Sequence, residues 1–515
     1  MDDPTGAVAS GNRSWGGAVL LLALAAVLVA PETPGDGPWR EPAGSIRDPL
    51  ASGATGRLPR HHPAAPTADP CSGVAVQPGT DLQAAIDAHP NGTTFCIKAG
   101  VHRLTNGVKP KQGQKFIGEP GAVVSGSKIV SSWTQEGSFW VAVGQTQQSP
   151  PAGECEVPSY AGCRHAEGVF LDDMNLRQVT ELAELSSGEF YFNYPGDRIY
   201  LADDPTGHTV EASVAKEMFD AWGVYGVEVR GLVVEKFANP AQTPALNGRE
   251  DWVLTGNEIR LNHGVGLAAG SHGIVRGNYV HHQGQMGMSG NGSVGALVER
   301  NEIAFNNTEG FKISWEAGGA KWVETKGLTV RRNWVHNNRG RGLWTDIDNI
   351  GTTYARNRVE DNAGAGIMHE ISYRAKIHHN YIARNGSVDD SGLTGSGILV
   401  ASSPNVEVYG NTLDRNADGL GLNQDNRGSG RRGRHVAKNF YAHHNVIVMC
   451  KGFTGAQTSS GRAIYGKRNN RFAKNRYRVE SLGGDWWYWR NAPRSAREWK
   501  RYGHDRKGVF RTADC

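Results

Sequence analysis

The sequence predicts an all-β solenoid in which short parallel strands are stacked coil upon coil. An asparagine recurs before a short aliphatic step, as in Gly256-Asn257-Glu258-Ile259 and Gly277-Asn278-Tyr279-Val280. The base period of 21–24 residues, lengthened in some coils, is typical of stacked repeats. The repeat is also too rich in Gly, Asn and Val/Ile for a helical hairpin. The lead asparagines are Asn257, Asn278, Asn301, Asn333, Asn357, Asn380, Asn411 and Asn445.

The repeated asparagine has a structural reason to occupy the corner of a coil. Asn tolerates the left-handed backbone of a sharp corner, and its amide can bond the Asn one coil above. With this pattern the chain resembles the right-handed parallel β-helix proteins of the pectate-lyase-like superfamily, over roughly residues 71–480. The resemblance implies the fold and leaves the chemistry open, because hydrolases, lyases, epimerases and some non-enzymes share this scaffold.

The N-terminus predicts export. Arg13 precedes an apolar stretch at 18–29, so residues 1–30 are interpreted as a signal peptide or an uncleaved signal anchor. Residues 31–70 are crowded with Pro and Gly and are interpreted as a linker. We expect a secreted, extracellular protein, or one anchored by the uncleaved signal, with no other membrane segment.

The remaining chain divides into four predicted parts. We expect an N-terminal cap and first coils at 71–149, a small β-hairpin insertion at 150–215, and the parallel β-helix at 216–480. A C-terminal cap and tail follow at 481–515. The amphipathic pattern at 81–88 predicts a short capping helix that covers the open end of the coil stack.

Six cysteines behind an export signal favour disulfides over metal ligation. The spacing matches no zinc motif. Six cysteines allow fifteen pairings, and sequence proximity favours Cys71 with Cys96, Cys155 with Cys163, and Cys450 with Cys515.

The charge is unevenly distributed along the chain. The formal net charge is +4, yet residues 427–515 hold 21 Lys/Arg against 5 Asp/Glu. The basic segment is either a surface that attracts a polyanion, such as an acidic polysaccharide, or a solvated cap. Nucleic acid is not expected, because no recognition motif accompanies the charge. We expect a monomer whose partner is a polysaccharide.

Candidate site residues come from the alternation of side chains along the strands that open after glycines. Inward positions after Gly342 and Gly366 are mostly apolar, whereas the alternate positions are polar and are predicted to face outward. The predicted inward residues are Leu343, Thr345, Ile347, Ile367, His369 and Ile371. The predicted outward residues are Trp344, Asp346, Asp348, Met368, Glu370 and Ser372, with Lys312, Ser314 and Glu316 on a strand after Gly310.

This alignment gathers carboxylates on one face. Asp346 stacks over Glu370, with Asp348 two residues along the strand and Glu316 one coil away. Neighbouring strands lie ~4.8 Å apart and alternate residues roughly 6.7 Å apart. Such carboxylates repel each other unless a cation, a shared proton or a substrate compensates. These four carboxylates are the predicted catalytic residues. The non-functional alternative is that they form an acidic face exposed to water, or that some of them occupy corner turns.

Several neighbours complete the predicted site. Trp344 is either a platform for a sugar ring or is packed under a loop. Lys312 and Arg341, with Asn349, are predicted to bind substrate, and Lys321 is placed in a loop as a catalytic candidate. Strict alternation buries His369 as a hydrogen-bonded histidine, although a bulge would re-aim it into the groove.

Three functions remain open from the sequence. A glycoside hydrolase would use two of the four carboxylates, ~5–5.5 Å apart for retention or ~6.5–9.5 Å apart for inversion. A lyase for a uronate polymer would hold Ca²⁺ with Asp346, Asp348 and Glu370, and would abstract the C5 proton with Lys312, Lys321 or Arg341. Ca²⁺ is the cofactor only in that case, and a hydrolase would have none. The third function is non-catalytic glycan binding.

Overall fold

The computed structural model describes residues 71–157, 161–388 and 392–515. The predicted signal segment and the linker lie outside these ranges. Within these ranges, no helix combines the length and the apolar character needed to cross a bilayer.

The described chain forms a solenoid of three parallel sheets, called here sheets I, II and III, and the predicted all-β fold is confirmed. Most coils contribute one strand to each sheet, and equivalent strands of successive coils pair in parallel. Aliphatic and aromatic side chains from the three sheets fill one continuous core along the axis.

The strand bounds are given sheet by sheet. Sheet I contains Val74–Val76, Thr94–Ile97, Lys115–Gly118, Glu228–Arg230, Val253–Thr255, Ile274–Arg276, Leu297–Glu299, Thr329–Arg331, Ile350–Ala355, Tyr373–His378, Val406–Tyr409, Tyr441–His443 and Arg471–Ala473. Sheet II contains Gly100–Arg103, Ala122–Ser125, Val233–Glu235, Glu258–Arg260, Tyr279–His281, Glu302–Ala304, Trp334–His336, Arg358–Glu360, Tyr381–Ala383, Thr412–Asp414, Val446–Met449, Arg476–Val479 and Val509–Thr512. Sheet III contains Pro244–Asn247, Val265–Ala268, Met286–Asn291, Gly318–Val323, Arg341–Asp346, Ile367–Glu370, Ser396–Ala401, Asp418–Gln424, Thr454–Thr458, Trp487–Tyr488 and Pro493–Arg494.

A β-rich insertion with its own small apolar core leaves the solenoid after the first coils. Its antiparallel pairing begins at Ser127, earlier in the chain than the predicted start at 150. One sheet contains Ser127–Ile129, Val169–Leu171, Met174–Asn175 and Val210–Ser213, and the other contains Thr134–Glu136, Phe139–Val143, Arg177–Val179, Glu189–Asn193 and Arg198–Leu201. A separate hairpin pairs Ser429–Gly430 with Gly433–Arg434.

Short helices and turns close the two ends. The predicted capping helix is present at Leu82–Asp87, where the Asp81 side chain accepts a hydrogen bond from the Ala84 N–H. Its buried face packs into the first coils. At the other end Trp487, Trp489 and Trp499 are buried. The other helices are Ile313–Glu316 and Ala496–Arg501, with 3₁₀ turns at Gly162–Arg164, Leu182–Glu184, Tyr194–Gly196 and Arg462–Tyr465.

The three predicted disulfides are confirmed, and the described residues contain no free cysteine. Cys71–Cys96 ties the first strands together, and Cys450–Cys515 ties the C-terminal tail to the last coils. Cys155–Cys163 closes a short loop beside Phe311.

The lead asparagines form a buried ladder along the solenoid, as predicted. Each side-chain amide donates to the Oδ1 of the next ladder residue, over 2.9–3.1 Å, and the last step is to Asp505. The same amides also bond main-chain carbonyls of the preceding coil. A second ladder runs through Asn262, Gln283, Asn306, Asn338, Asn362, Asn385 and Asn416. Buried corner amides are thus satisfied from coil to coil.

Replacement of a ladder residue is expected to destabilise the fold strongly. In Asn357→Ala, the buried Asn333 amide and the Val330 carbonyl lose their partners, at a cost of about 3 kcal/mol. The exposed Asn426 provides the control, and Asn426→Ala should change stability by less than about 0.5 kcal/mol. Chemical denaturation of both variants measures the difference. Equal free energies of unfolding for the two variants would show that water replaces the lost hydrogen bonds of the ladder without loss of stability.

Candidate functional site

The outward side chains of sheet III form two parallel rows across neighbouring coils. In the first row, Ser289, Lys321, Trp344 and Met368 occupy paired positions on successive strands. The second row passes through Asp346, and the pairing of Thr345 with His369 places Glu370 beside it on the next strand. The predicted stacking of Asp346 and Glu370, called here the acid pair, is therefore present.

Lys321 is the cationic centre of the site. Its Nζ lies 3.0 Å from Asp346 Oδ2 and 3.4 Å from Glu316 Oε2, and 4.0 Å from the centroid of the Trp344 ring. Burial acts to lower the pKa of Lys321, but the charges of Glu316 and Asp346 outweigh it, and the pKa is raised. Lys321 is thus a permanent cation that compensates two carboxylates.

Glu370 is in a different electrostatic environment from Asp346. The residue is 8% exposed, and burial is the largest cause that raises its pKa, followed by the charge of Asp346. Arg427 donates to Glu370 Oε1, and with Arg341 it opposes the shift without reversing it. The acid pair thus combines a carboxylate bonded to a lysine with a buried carboxyl group whose pKa is raised.

Some polar atoms at this site are buried without a partner among the described residues. They are Asp346 Oδ1, Trp344 Nε1 and Arg341 Nε. Buried polar atoms are normally hydrogen-bonded, so unpaired atoms gathered around one carboxylate indicate where a ligand can bond. Asp346 thus bonds Lys321 with one oxygen, and its second oxygen is buried without a partner.

The prediction for the coil after Gly310 was wrong in its secondary structure. Ile313–Glu316 is a short helix, and the strand of this coil is Gly318–Val323, so Lys321 lies on a strand and not in a loop. The inserted loop is fixed by the Glu156 carboxylate, which accepts from the Ile313 N–H. Glu316 still reaches Lys321 from the helix. Lys312 Nζ instead lies 3.5 Å from Glu154 Oε2, so Lys312 pairs with Glu154 and not with the acid pair.

The prediction that Trp344 is an exposed platform was wrong. Trp344 is 4% exposed and packs in a cluster with Ala365, Met368, Leu399 and Ala401 outside the solenoid core. Arg341, a predicted substrate-binding residue, lies 4.3 Å from the Trp344 ring centroid and donates to the Ile313 carbonyl. The alternative interpretation of Trp344, packing beneath other residues, is the one observed.

The predicted strand geometry fails beyond Asp346. Ile347 and Asp348 adopt left-handed backbone conformations, so the alternation stops and Ile347, predicted inward, is 39% exposed. Asp348 turns away to accept from His435 Nε2 at 2.9 Å and from the Arg431 N–H. Asn349 does not line the groove, because it is fully buried and bonds the Thr325 N–H and the Trp322 carbonyl.

These placements also separate the three carboxylates of the predicted calcium site. Asp346 bonds Lys321, Glu370 bonds Arg427, and Asp348 bonds His435. Each carboxylate has a different cationic or hydrogen-bonding partner, and among the described residues these three do not form a group whose ligand atoms all lie within 4.8 Å of one another.

His369 points into the solenoid, as strict alternation predicted. It is fully buried, and burial lowers its pKa to about 3. Its Nδ1 lies 2.7 Å from Thr345 Oγ1. The neutral ring is therefore an interior residue and does not share a ligand with Glu370.

Three residues that contact the site were not found from the sequence. Arg427 and His435 come from a loop of a later coil and bond Glu370 and Asp348. Gln242 comes from an earlier coil, and its Nε2 lies 2.5 Å from Glu316 Oε2. The Arg- and Gly-rich composition of residues 427–434 was the available signal that this loop meets the acidic residues.

Comparison with known proteins agrees with the observed architecture. Residues 245–413 match the family model described as "Right handed beta helix region", and no curated protein sequence matches the chain. A solved structure of XylC in complex with xylose is 15% identical, covers 84% of this chain and 83% of its own, and has a TM-score of 0.62. The A-module of the mannuronan C-5 epimerase AlgE6 from Azotobacter vinelandii is 12% identical over 84% and 94% of the two chains, with a TM-score of 0.46. The likeness to XylC shows the fold.

Proposed function

We propose that this chain, a right-handed parallel β-helix protein, is a glycoside hydrolase that retains anomeric configuration. Asp346 is the nucleophile and Glu370 is the general acid and base. The observation that carries the proposal is the acid pair itself, two carboxyl groups on adjacent strands, of which one bonds Lys321 and the other is buried beside Arg427 with its pKa raised. Strands ~4.8 Å apart favour the separation of about 5–5.5 Å that retaining enzymes use.

The surroundings of each group suit its step. The Asp346 oxygen that lacks a partner attacks the anomeric carbon, while Lys321 holds the other oxygen. Glu370, whose pKa is raised, gives its proton to the glycosidic oxygen as that bond breaks. Glu370 then takes a proton from the water that attacks the glycosyl–Asp346 ester, which releases the sugar and restores both groups.

The elimination alternative agrees less well with the site. A lyase base must be neutral to remove the C5 proton, but Lys321 is held as a cation by Glu316 and Asp346. The calcium proposed for that reaction would have to be held by Asp346, Asp348 and Glu370, which have separate partners. We therefore propose hydrolysis without a metal cofactor.

The class of substrate is proposed from the outer face of sheet III, and the location is proposed from the disulfides. An outer sheet face with rows of polar side chains across several coils suits a polysaccharide or an oligosaccharide. Three disulfides suit an oxidising compartment outside the cytosol, in line with the proposed export.

A panel of neutral and uronate glycans tests the proposal. We expect new reducing ends from at least one glycan without the ultraviolet absorbance of an unsaturated sugar, and the first-formed product should keep the anomeric configuration of the substrate by NMR. New absorbance would show a lyase, inverted product would exclude the Asp346 nucleophile, and binding without cleavage would show a non-catalytic protein.

A further inference from the structure

A cleft lies along sheet III, and its lining residue Ser289 is two strands from the strand that carries Asp346. It has a volume of about 570 Å³ and is lined by Trp222, Gln242, Arg249, Ser289 and Ser293 among others. We call it the Trp222 cleft. Ser289 is the register partner of Lys321 on the next strand, and Gln242 bonds Glu316. Two lining residues of the cleft are therefore neighbours of Lys321 and Glu316.

Trp222 is the most exposed of the large hydrophobic residues in the described chain. Its side chain is 85% exposed at the edge of the cleft, and Tyr225, also on the lining, is 46% exposed. The Arg249 guanidinium carbon lies 5.4 Å from the Trp222 ring centroid, which restricts the orientation of the indole. Large aromatic surface left in water beside a cleft of mixed polar and apolar lining is typical of a binding site.

The floor of the cleft carries hydrogen-bonding groups without partners. Ser293 is 3% exposed, and its Oγ is buried. Arg249 Nε is also buried, and neither of these two atoms has a hydrogen-bond partner among the described residues. Because buried polar groups are normally satisfied, these atoms indicate a ligand with donors and acceptors. Asn247 and Asn291 add amides to the same lining.

We propose that the Trp222 cleft is a sugar-binding subsite for a glycan unit remote from the bond that is cleaved. A pyranose ring has an apolar face to stack on Trp222 and hydroxyls to bond Ser293 and Arg249. The proximity of Arg249 and Glu250 on the lining leaves the cleft without a strong net charge, which does not suit a polyanionic backbone such as nucleic acid.

The subsite rests on the proposed function only for its role in turnover. Strands lie ~4.8 Å apart, so Ser289 is about 10 Å, two strands, from the strand of Asp346. One oligosaccharide can therefore contact both sites with different units. Short substrates should occupy the acid pair alone, and longer substrates should gain affinity from Trp222.

Trp222→Ala, measured against Trp334→Ala, tests the subsite. Trp334 is a partly exposed tryptophan on sheet II, away from the groove. Binding is measured by calorimetry in a Glu370→Gln background, in which natural glycosides are expected to be cleaved at least about 10²-fold more slowly. The probes are xylan-, glucan-, alginate- and pectin-derived disaccharides and hexasaccharides. We expect at least one hexasaccharide to bind about tenfold more weakly to Trp222→Ala, or ~1.4 kcal/mol, with disaccharide binding and the Trp334→Ala control unchanged.

The outcomes separate the subsite from the proposed reaction. Hexasaccharide binding that does not depend on Trp222, or no binding of any probe, would overturn the subsite. Trp222-dependent binding without hydrolysis by the wild type would support the subsite and reject the reaction. Because Trp222 is so exposed, its loss should leave thermal unfolding unchanged, and Trp222→Phe should recover most of the affinity.

Discussion

Asp346→Asn is expected to abolish turnover while the fold is retained. Loss of a covalent nucleophile should lower kcat by about 10⁴-fold or more, because a neutral amide cannot form the glycosyl ester. The side-chain volume is almost unchanged, and Lys321 keeps Glu316 as a counter-ion. Initial rates on the most reactive glycan, with circular dichroism of the variant, make the measurement.

The matched control is Asp361→Asn. Asp361 lies at a corner beside sheet II and pairs with Arg384, so its loss should leave kcat within about twofold. If Asp346→Asn kept more than a tenth of wild-type activity with the fold intact, Asp346 would not be the nucleophile.

Glu370→Gln is expected to show a loss that depends on the leaving group. Natural glycosides should be cleaved about 10²–10⁴-fold more slowly, the usual contribution of general acid catalysis. Aryl glycosides with an acidic phenol leave without protonation, so their first step should be nearly normal. Azide, which needs no general base, should then release a glycosyl azide of retained configuration.

The pH profile supplies an independent test of the same residue. A raised carboxyl pKa keeps Glu370 protonated to higher pH than an ordinary glutamate. Activity should therefore fall as the pH rises through the pKa of Glu370, and this basic limb of kcat/KM should vanish in Glu370→Gln. Equal losses on natural and activated substrates, with the basic limb retained, would exclude Glu370 as the acid.

The parts of the fold set by local repetition could be predicted from the sequence. The ladder follows from one asparagine per coil, and the adjacency of Asp346 and Glu370 follows from aligning the strands after Gly342 and Gly366. The same alignment failed after Gly310, because extra residues before Gly318 form a helix that alternation cannot reveal.

Contacts between distant loops set the rest of the site. A residue that points out of the solenoid is not always exposed, since Trp344 is covered by the side chains of neighbouring coils. The partners of Glu370 and Asp348 come from a loop near residue 430. No period in the sequence encodes which carboxylate such a loop will meet.

The asparagine ladder keeps the spacing between coils constant, whatever the number of residues in each coil. Successive ladder residues are between 21 and 34 positions apart in sequence, yet each amide spans nearly the same short distance to the next. The pitch of the solenoid is thus decoupled from how much chain each turn contains. Evolution can lengthen, shorten or replace the segments that wall the groove, and so change what the groove admits, while the scaffold beneath them keeps its spacing.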